Sequence, residues 1–190
     1  MIPAASVLAR NAMPTASMAI WILAALLAVG AGWTDWKWRR IPNWLTLPAL
    51  LVGFAVNTVF GRWAGAKDSL LGLLLGFGVM LPFVLLKALG AGDLKLVSAL
   101  GAILGPGRLL DVLFVAVLVA GVMAIVLIIW RGRVRQTARN ILRLLGALFS
   151  FHMPQPELTL ENPQALKVPF GVAVAVAVLL YTASQAWGVA

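Results

Sequence analysis

Long, continuous apolar runs constrain the fold of this chain more than any other feature of its sequence. Several runs reach the roughly 20 residues that an α-helix needs to cross a bilayer. Hydrophobic residues make up 62% of the chain and charged residues only 11%, which is too few to cover a soluble core. Because hydrocarbon offers no hydrogen bonds, each spanning segment must satisfy its own backbone. The runs do not alternate as barrel strands do, so the sequence predicts an all-α integral membrane protein.

The apolar runs predict a bundle of about six transmembrane helices. They cover residues 17–33, 44–60, 69–89, 93–106, 109–130 and 169–188, with loops at 34–43, 61–68, 90–92, 107–108 and 131–168. The fourth run is short, so taken alone it could also be a re-entrant or buried helix. In the third run Gly72, Gly76 and Gly78 are expected to permit close helix packing.

Two domain-level expectations follow from the same runs. Residues 1–16 form an N-terminal segment that we expect outside the cytoplasm, and residues 17–190 form a single transmembrane domain. The N-terminal segment is not predicted to be a cleaved signal peptide, because the apolar run after it ends in Trp33, Thr34 and Asp35 rather than at a small-residue cleavage site before a soluble body.

The basic residues predict the orientation of the bundle. They concentrate in two loops, as Lys37, Arg39, Arg40, Arg131, Arg133, Arg135, Arg139, Arg143 and Lys167. Loops 34–43, 90–92 and 131–168 are therefore expected in the cytoplasm. The net charge of +9 is better explained by the orientation of the helices and by contact with anionic lipid than by binding of nucleic acid. Within 131–168 the pattern favours an interfacial amphipathic helix, with a lid or a partner site as open alternatives.

Two aspartates stand at predicted cytoplasmic ends of helices. Asp35 precedes the 44–60 span and Asp93 follows the 69–89 span, so the two intervening crossings return the chain to the same face. A single Asp at such a position is usually a solvated helix cap. Two carboxylates brought close in a partly dehydrated site instead share a proton, which is what aspartyl proteolysis requires.

Residues around Asp93 suit a crowded site. Gly90 and Gly92 let backbone and substrate approach closely and let the chain turn before a helix that we expect to begin at Asp93. Lys95 is either a snorkelling anchor or a local counter-charge. The chain has no Cys and one His, so we expect no metal site and no cofactor.

Two stretches resemble the signatures of the prepilin peptidase family, the membrane aspartic peptidases of type IV and Flp-type pilus systems. "TDWKWRRIPNWLTLP" (34–48) is similar to the family pattern D-x-x-x-x-x-I-P-N-x-L-T, and "GAGDLKL" (90–96) to G-x-G-D-x-K-L. Asp35 and Asp93 fall on the two catalytic positions of the family. "VPFG" (168–171) resembles a third family feature. The residues that the resemblance implies as shaping the site are Gly90, Gly92, Lys95, Pro42, Asn43, Pro169, Phe170 and Gly171.

The resemblance implies a peptidase of the bacterial inner membrane with its active site on the cytoplasmic side. Its substrates would be prepilins or pseudopilins, cut after a glycine that ends a short basic leader. Larger members carry a methyltransferase region with paired cysteines, so this chain resembles the peptidase-only form. The alternatives are a non-catalytic assembly subunit of a secretion or pilus machine and a small transporter, although a transporter would place its carboxylates nearer the middle of spans.

Overall fold

A computed structural model describes residues 4–132, 135, 137 and 168–186 of the chain, with side chains described within these ranges from Met18 to Ser184. Its helices are α1 (Ala4–Trp38), α2 (Asn43–Leu85), α3 (Ala91–Leu104), α4 (Pro106–Trp130) and α5 (Phe170–Ala186). The part of the chain that is described contains no strands, so the predicted all-α fold is confirmed. The predicted amphipathic helix at 141–149 lies outside the described residues.

Three stretches are long and apolar enough to cross a membrane, namely Met18–Trp38, Asn43–Leu85 and Pro106–Trp130. The apolar stretch Phe170–Ser184 is shorter. Helix α1 also passes through the expected boundary between residues 16 and 17 without a break. The count of six crossings therefore stays a prediction, while the membrane character of the bundle is clear.

The long helix α2 reverses its direction at Arg62. This residue has φ 51° and ψ −137°, which is not helical. Before this break, the Asn43 side chain accepts a hydrogen bond from Lys95, near the start of α3. On the other side, a Cβ on Gly76 would meet the Val97 carbonyl of α3. The two halves of α2 therefore run in opposite directions along α3, as the predicted spans 44–60 and 69–89 require. The predicted loop 61–68 is wrong in extent, since the chain remains helical there except at Arg62.

The other linkers also differ from the prediction, two being shorter and one longer. The loop expected at 34–43 is residues 39–42, the loop expected at 90–92 is residues 86–90, and the break expected at 107–108 is Gly105. Most of the first difference arises because α1 continues to Trp38. Pro42 is the N-cap of α2, and the residue before a proline avoids helical backbone. Gly105 explains the last, because its φ of 77° lies in the left-handed region that glycine adopts without strain.

Helix α3 is the centre of the bundle. Every residue from Leu96 to Leu104 is buried. The α3 backbone comes so close to α2 that a Cβ on Gly72 would meet the Gly101 carbonyl, and a Cβ on Gly101 would meet the Gly72 carbonyl. Gly72 and Gly76 thus pack as predicted, whereas Gly78 faces open space with nothing within 4 Å. Close packing at Gly78 was the wrong part of that prediction, since this position points away from α3.

Side chains of α2 satisfy the carbonyl groups at the end of α3. The Asn57 amide donates to the Ala102 and Ile103 carbonyl oxygens, both at 2.9 Å, and the Ser69 hydroxyl donates to the Ala102 oxygen at 2.6 Å. The last carbonyls of a helix have no partner within it, and leaving them unpaired in an apolar interior is costly. These bonds hold both halves of α2 to the same end of α3.

Helix α5 packs antiparallel to α1 and also touches α4. The Trp21 and Tyr181 rings stack with their centroids 5.0 Å apart, and the Tyr181 hydroxyl donates to Asp111 of α4 at 3.2 Å. Near the other end of the pair, a Cβ on Gly32 would lie 2.9 Å from the Cβ of Ala175. This packing brings the start of α5 to the end of α1, where Asp35 lies.

Candidate active site

Asp35 lies in the last turns of α1 and is buried, with 8% of its surface exposed. Its Oδ2 accepts a hydrogen bond of 2.8 Å from the backbone N–H of Gly171. Helix α5 begins one residue earlier, so this N–H is one of those that a helix start leaves without a partner. A carboxylate beside such N–H groups is also favoured by the helix dipole. The bond therefore fixes the Asp35 side chain to a helix distant in sequence.

Glycine at position 171 is required by this close approach. A Cβ there would lie 2.9 Å from the Cβ of Asp35 and 3.0 Å from its Oδ2, with the Ala31 carbonyl oxygen at 3.3 Å. Distances near 3 Å are below the usual contact between a carbon and these atoms. A larger residue would have to push α5 away from α1.

Asp93 lies in the first turn of α3. The helix begins at Ala91 with Gly90 as its N-cap, so the expectation that it begins at Asp93 is wrong by two residues. The Asp93 Oδ2 accepts the Gly90 N–H at 3.1 Å, which is the reach-back bond that an acidic residue at the third helical position often makes. This bond holds the carboxylate at the mouth of α3.

The two aspartates open onto one pocket of about 310 Å³. Its lining residues are Asp35, Arg39, Arg40, Ile41, Gly90, Ala91, Gly92 and Asp93. The linkers 39–42 and 86–90 therefore meet at one end of the bundle, and the expectation that both carboxylates share a face agrees with this geometry.

Asp93 holds its proton more strongly than an ordinary carboxyl group. It lies outside the three membrane-length stretches, and burial raises its pKa from 3.8 to about 6. The Gly90 N–H offsets part of the rise, and the nearby negative charge of Asp35 adds to it. Burial and a neighbouring negative charge both raise the pKa of a carboxyl group, because each makes its ionised form less stable.

The C-terminal end of α1 places a cation at the same pocket. The Arg39 N–H donates to the Asp35 carbonyl oxygen at 2.9 Å, and Arg39 has a positive φ of 53°. Arg40 lines the pocket beside Arg39. Two cationic residues therefore border the same cavity as the two carboxylates.

The other residues expected to shape the site lie around the pocket in different ways. Gly90 and Gly92 line it, and a Cβ on Gly92 would come within 3.3 Å of Ile41. The Lys95 ammonium donates to the Asn43 side-chain oxygen at 2.9 Å, so Lys95 joins the two predicted motifs.

Proline residues mark two of the helix starts near the site. Pro42 is the N-cap of α2. The Pro169 carbonyl accepts the first hydrogen bonds of α5, from Val172 and Ala173, and Phe170 is buried beside it. These residues position the backbone and supply no side-chain chemistry.

Sequence reasoning missed four residues of the pocket. They are Arg39, Arg40, Ile41 and Ala91. The arginines had been assigned to topology alone, and Ile41 and Ala91 are apolar residues inside the two motifs. Their position within the motifs was the signal that could have identified them.

Comparison with known proteins agrees with the two motifs. Residues 19–125 match the model of the type IV leader peptidase family. A relative from Burkholderia pseudomallei, named as a prepilin leader peptidase/N-methyltransferase, is 38% identical over 121 residues, which are 60% of this chain and 38% of the relative.

Two further relatives carry the same name. The one from Pectobacterium carotovorum is 35% identical over 136 residues, covering 65% of this chain and 47% of the relative. The one from Xanthomonas campestris is 31% identical over 123 residues, covering 61% of this chain and 42% of the relative. The chain therefore spans less than half the length of these curated relatives. No solved structure matches the chain.

Proposed function

We propose, from the premise that this chain belongs to the type IV leader peptidase family, that it is a membrane aspartyl endopeptidase. Its substrates are type IV or Flp-type prepilins or pseudopilins, and it cuts their short leader after a glycine at the cytoplasmic face of the inner membrane. The observation that carries the proposal is the convergence of Asp35 and Asp93, from α1 and α3, on one pocket.

The reaction uses the two carboxylates as an acid and a base. The ionised carboxylate takes a proton from a water as the water oxygen bonds to the scissile carbonyl carbon, while the neutral carboxyl donates its proton to the carbonyl oxygen. The resulting gem-diol collapses as its C–N bond breaks. The leaving amine receives the proton first taken from water, and the other carboxylate recovers its proton from a hydroxyl. The site ends in its starting state.

The charges at the pocket support a cytoplasmic active site. Lys37, Arg39 and Arg40 cluster where α1 ends, and cytoplasmic loops of membrane proteins are enriched in basic residues. We further propose that residues 17–190 act as one peptidase domain and that this chain does not methylate its product. The absence of cysteine from the chain supports the second point.

Cleavage of a defined precursor tests the proposal. The full chain, purified in detergent, is incubated with a synthetic precursor that has a short basic leader, a glycine and an apolar helix. Intact mass spectrometry is expected to locate one cut after the glycine and an unmethylated new N-terminus. A non-catalytic assembly subunit would leave the precursor whole, and this outcome would overturn the proposal.

Gly171→Ala is expected to slow cleavage by about 10- to 100-fold, because a shift near 1 Å in a catalytic group has that order of effect. The added Cβ would crowd the Asp35 carboxylate and displace the N–H that holds it. The measurement is kcat/KM on the same precursor.

Gly121→Ala is the matched control, since a Cβ there meets nothing within 4 Å. It should cleave at the wild-type rate. Equal activity of the two variants would show that α5 does not restrain Asp35 during the reaction.

A further inference from the structure

Ile41 forms an apolar wall of the pocket onto which the two aspartates open. It lies in the linker between α1 and α2 and is buried, with 8% of its surface exposed. Among the lining residues that the structure describes, it is the one with a bulky apolar side chain. Arg39, Arg40 and Ala91 also line the pocket, but all three are exposed. Ile41 therefore bounds the pocket on its buried side.

The Ile41 side chain has little room to retreat from the pocket. A Cβ added to Gly92 would lie 3.3 Å from the Ile41 Cβ and 3.6 Å from its Cγ1, so the backbone at the start of α3 is a close neighbour. Ile41 also belongs to the hydrophobic core of the bundle. A β-branched side chain has few χ1 rotamers available, and a close-packed core leaves few voids for it to enter. The wall that Ile41 forms is therefore a rigid one.

Hydrogen bonds on both sides of Ile41 hold its linker in place. Before it, the Arg39 N–H donates to the Asp35 carbonyl oxygen at 2.9 Å. After it, the Asn43 side-chain oxygen accepts a hydrogen bond of 2.9 Å from the Lys95 ammonium. The linker is thus tied to α1 and to α3, the two helices that carry the aspartates, and the position of Ile41 relative to both carboxylates is set.

We propose that Ile41 is a specificity-determining residue, which excludes a side chain on the residue whose carbonyl is attacked and so restricts cleavage to the bond after a glycine. This inference rests on the proposed peptidase function and names the residue that selects its substrate.

The chemistry of the cut explains why this wall selects the residue before the bond. In the proposed reaction the scissile carbonyl carbon reacts between Asp35 and Asp93, so it must enter the pocket that both carboxylates line. The α-carbon of the same residue is one bond from that carbon, whereas the α-carbon after the cut is two bonds away. A Cβ on the residue before the cut is therefore the side-chain atom nearest to the dyad. It would enter the space that Ile41 bounds.

A pair of precursors tests the role of Ile41. The two synthetic precursors are identical except that the glycine before the cut is alanine in one of them. The purified full chain in detergent is given each, and intact mass spectrometry follows the cut. The readout is the ratio of kcat/KM for the glycine precursor to kcat/KM for the alanine precursor. The wild type is expected to have a ratio of about 10–200, the discrimination that one added carbon produces in a tight apolar site.

Ile41→Ala shortens the wall and is expected to lower this ratio by at least about 10-fold, chiefly through faster cleavage of the alanine precursor. Ile41→Val removes a single carbon and should lower the ratio by less, with a smaller disturbance of the core. Because the ratio compares two substrates of one preparation, the fraction of folded enzyme cancels from it. Ile41→Val decides the test if Ile41→Ala does not fold.

Ile103→Ala is the matched control, because it removes the same atoms from the buried core near the other end of α3, where Ile103 packs against Gly53. It should leave the ratio at the wild-type value. If the Ile41 variants keep that ratio, if Ile103→Ala lowers it as far, or if the wild type cuts both precursors equally well, the assignment of Ile41 is wrong.

Failure of this inference is distinguishable from failure of the proposed function. Absence of cleavage of the glycine precursor by the wild-type chain, or full cleavage by Asp35→Asn, would overturn the peptidase itself. Cleavage that needs both aspartates but shows the same ratio with and without the Ile41 side chain would overturn only the assigned selectivity.

Discussion

Asp35→Asn and Asp93→Asn are each expected to lower cleavage of the precursor by at least about 100-fold, the lower end of what general acid–base groups contribute. Asparagine has nearly the same shape as aspartate, and its carbonyl oxygen can still accept the N–H of Gly171 or Gly90. It cannot take up or release the proton that the reaction moves. Single-turnover cleavage of the synthetic precursor, followed by intact mass, measures the loss.

Asp111→Asn is the matched control for both variants. Asp111 lies on α4 and accepts a hydrogen bond from Tyr181, far from the pocket residues. It should cleave at a rate close to that of the wild type. Retention of activity in either dyad variant would mean that its carboxylate is only a helix cap, and an equal loss in Asp111→Asn would point to a general effect of removing charge.

Gly72→Ala is expected to destabilise the bundle by about 1–3 kcal/mol or more, the range for overpacking a tight interior. The new Cβ would overlap the Gly101 carbonyl of α3, and backbone cannot move aside as a side chain can. For a chain of this size the loss corresponds to a fall in Tm of about 2–4 °C per kcal/mol. Thermal unfolding in detergent, followed by tryptophan fluorescence, is the measurement.

Gly78→Ala provides the control on the same half of α2. Its Cβ would enter open space, and alanine favours helix over glycine by about 1 kcal/mol, so its Tm should equal or exceed that of the wild type. Equal falls for the two variants would contradict the packing of α2 against α3, since only position 72 faces that helix.

The apolar runs predicted the helices well because a membrane helix is a local consequence of composition. The reversal inside α2 was placed less well, as a loop at 61–68 instead of a break at Arg62. Trp63, Ala64 and Ala66 are compatible with helix on local grounds, so nothing nearby demands a loop. The break is set by packing, because both halves of α2 lie against the same buried α3.

The candidate site could be predicted as far as its motifs extended. Asp35, Asp93 and the glycines beside Asp93 stand in recognisable patterns, and the structure brings all of them to one pocket. The bond between Asp35 and Gly171 joins residues far apart in the chain, and no spacing rule predicts it. Arg39 was missed for a different reason, because an arginine beside a bilayer is usually explained by topology.

The bond between Asp35 and Gly171 also has a consequence for biogenesis. Helix α5 follows the other four described helices in the chain, so it leaves the ribosome after them. Until it is inserted beside α1, the Asp35 carboxylate lacks the N–H that holds it, although both aspartates are already in the membrane. Insertion of α5 beside α1 therefore completes the restraint on Asp35. In the proposed peptidase, a chain that has not yet inserted α5 lacks the finished geometry of the site.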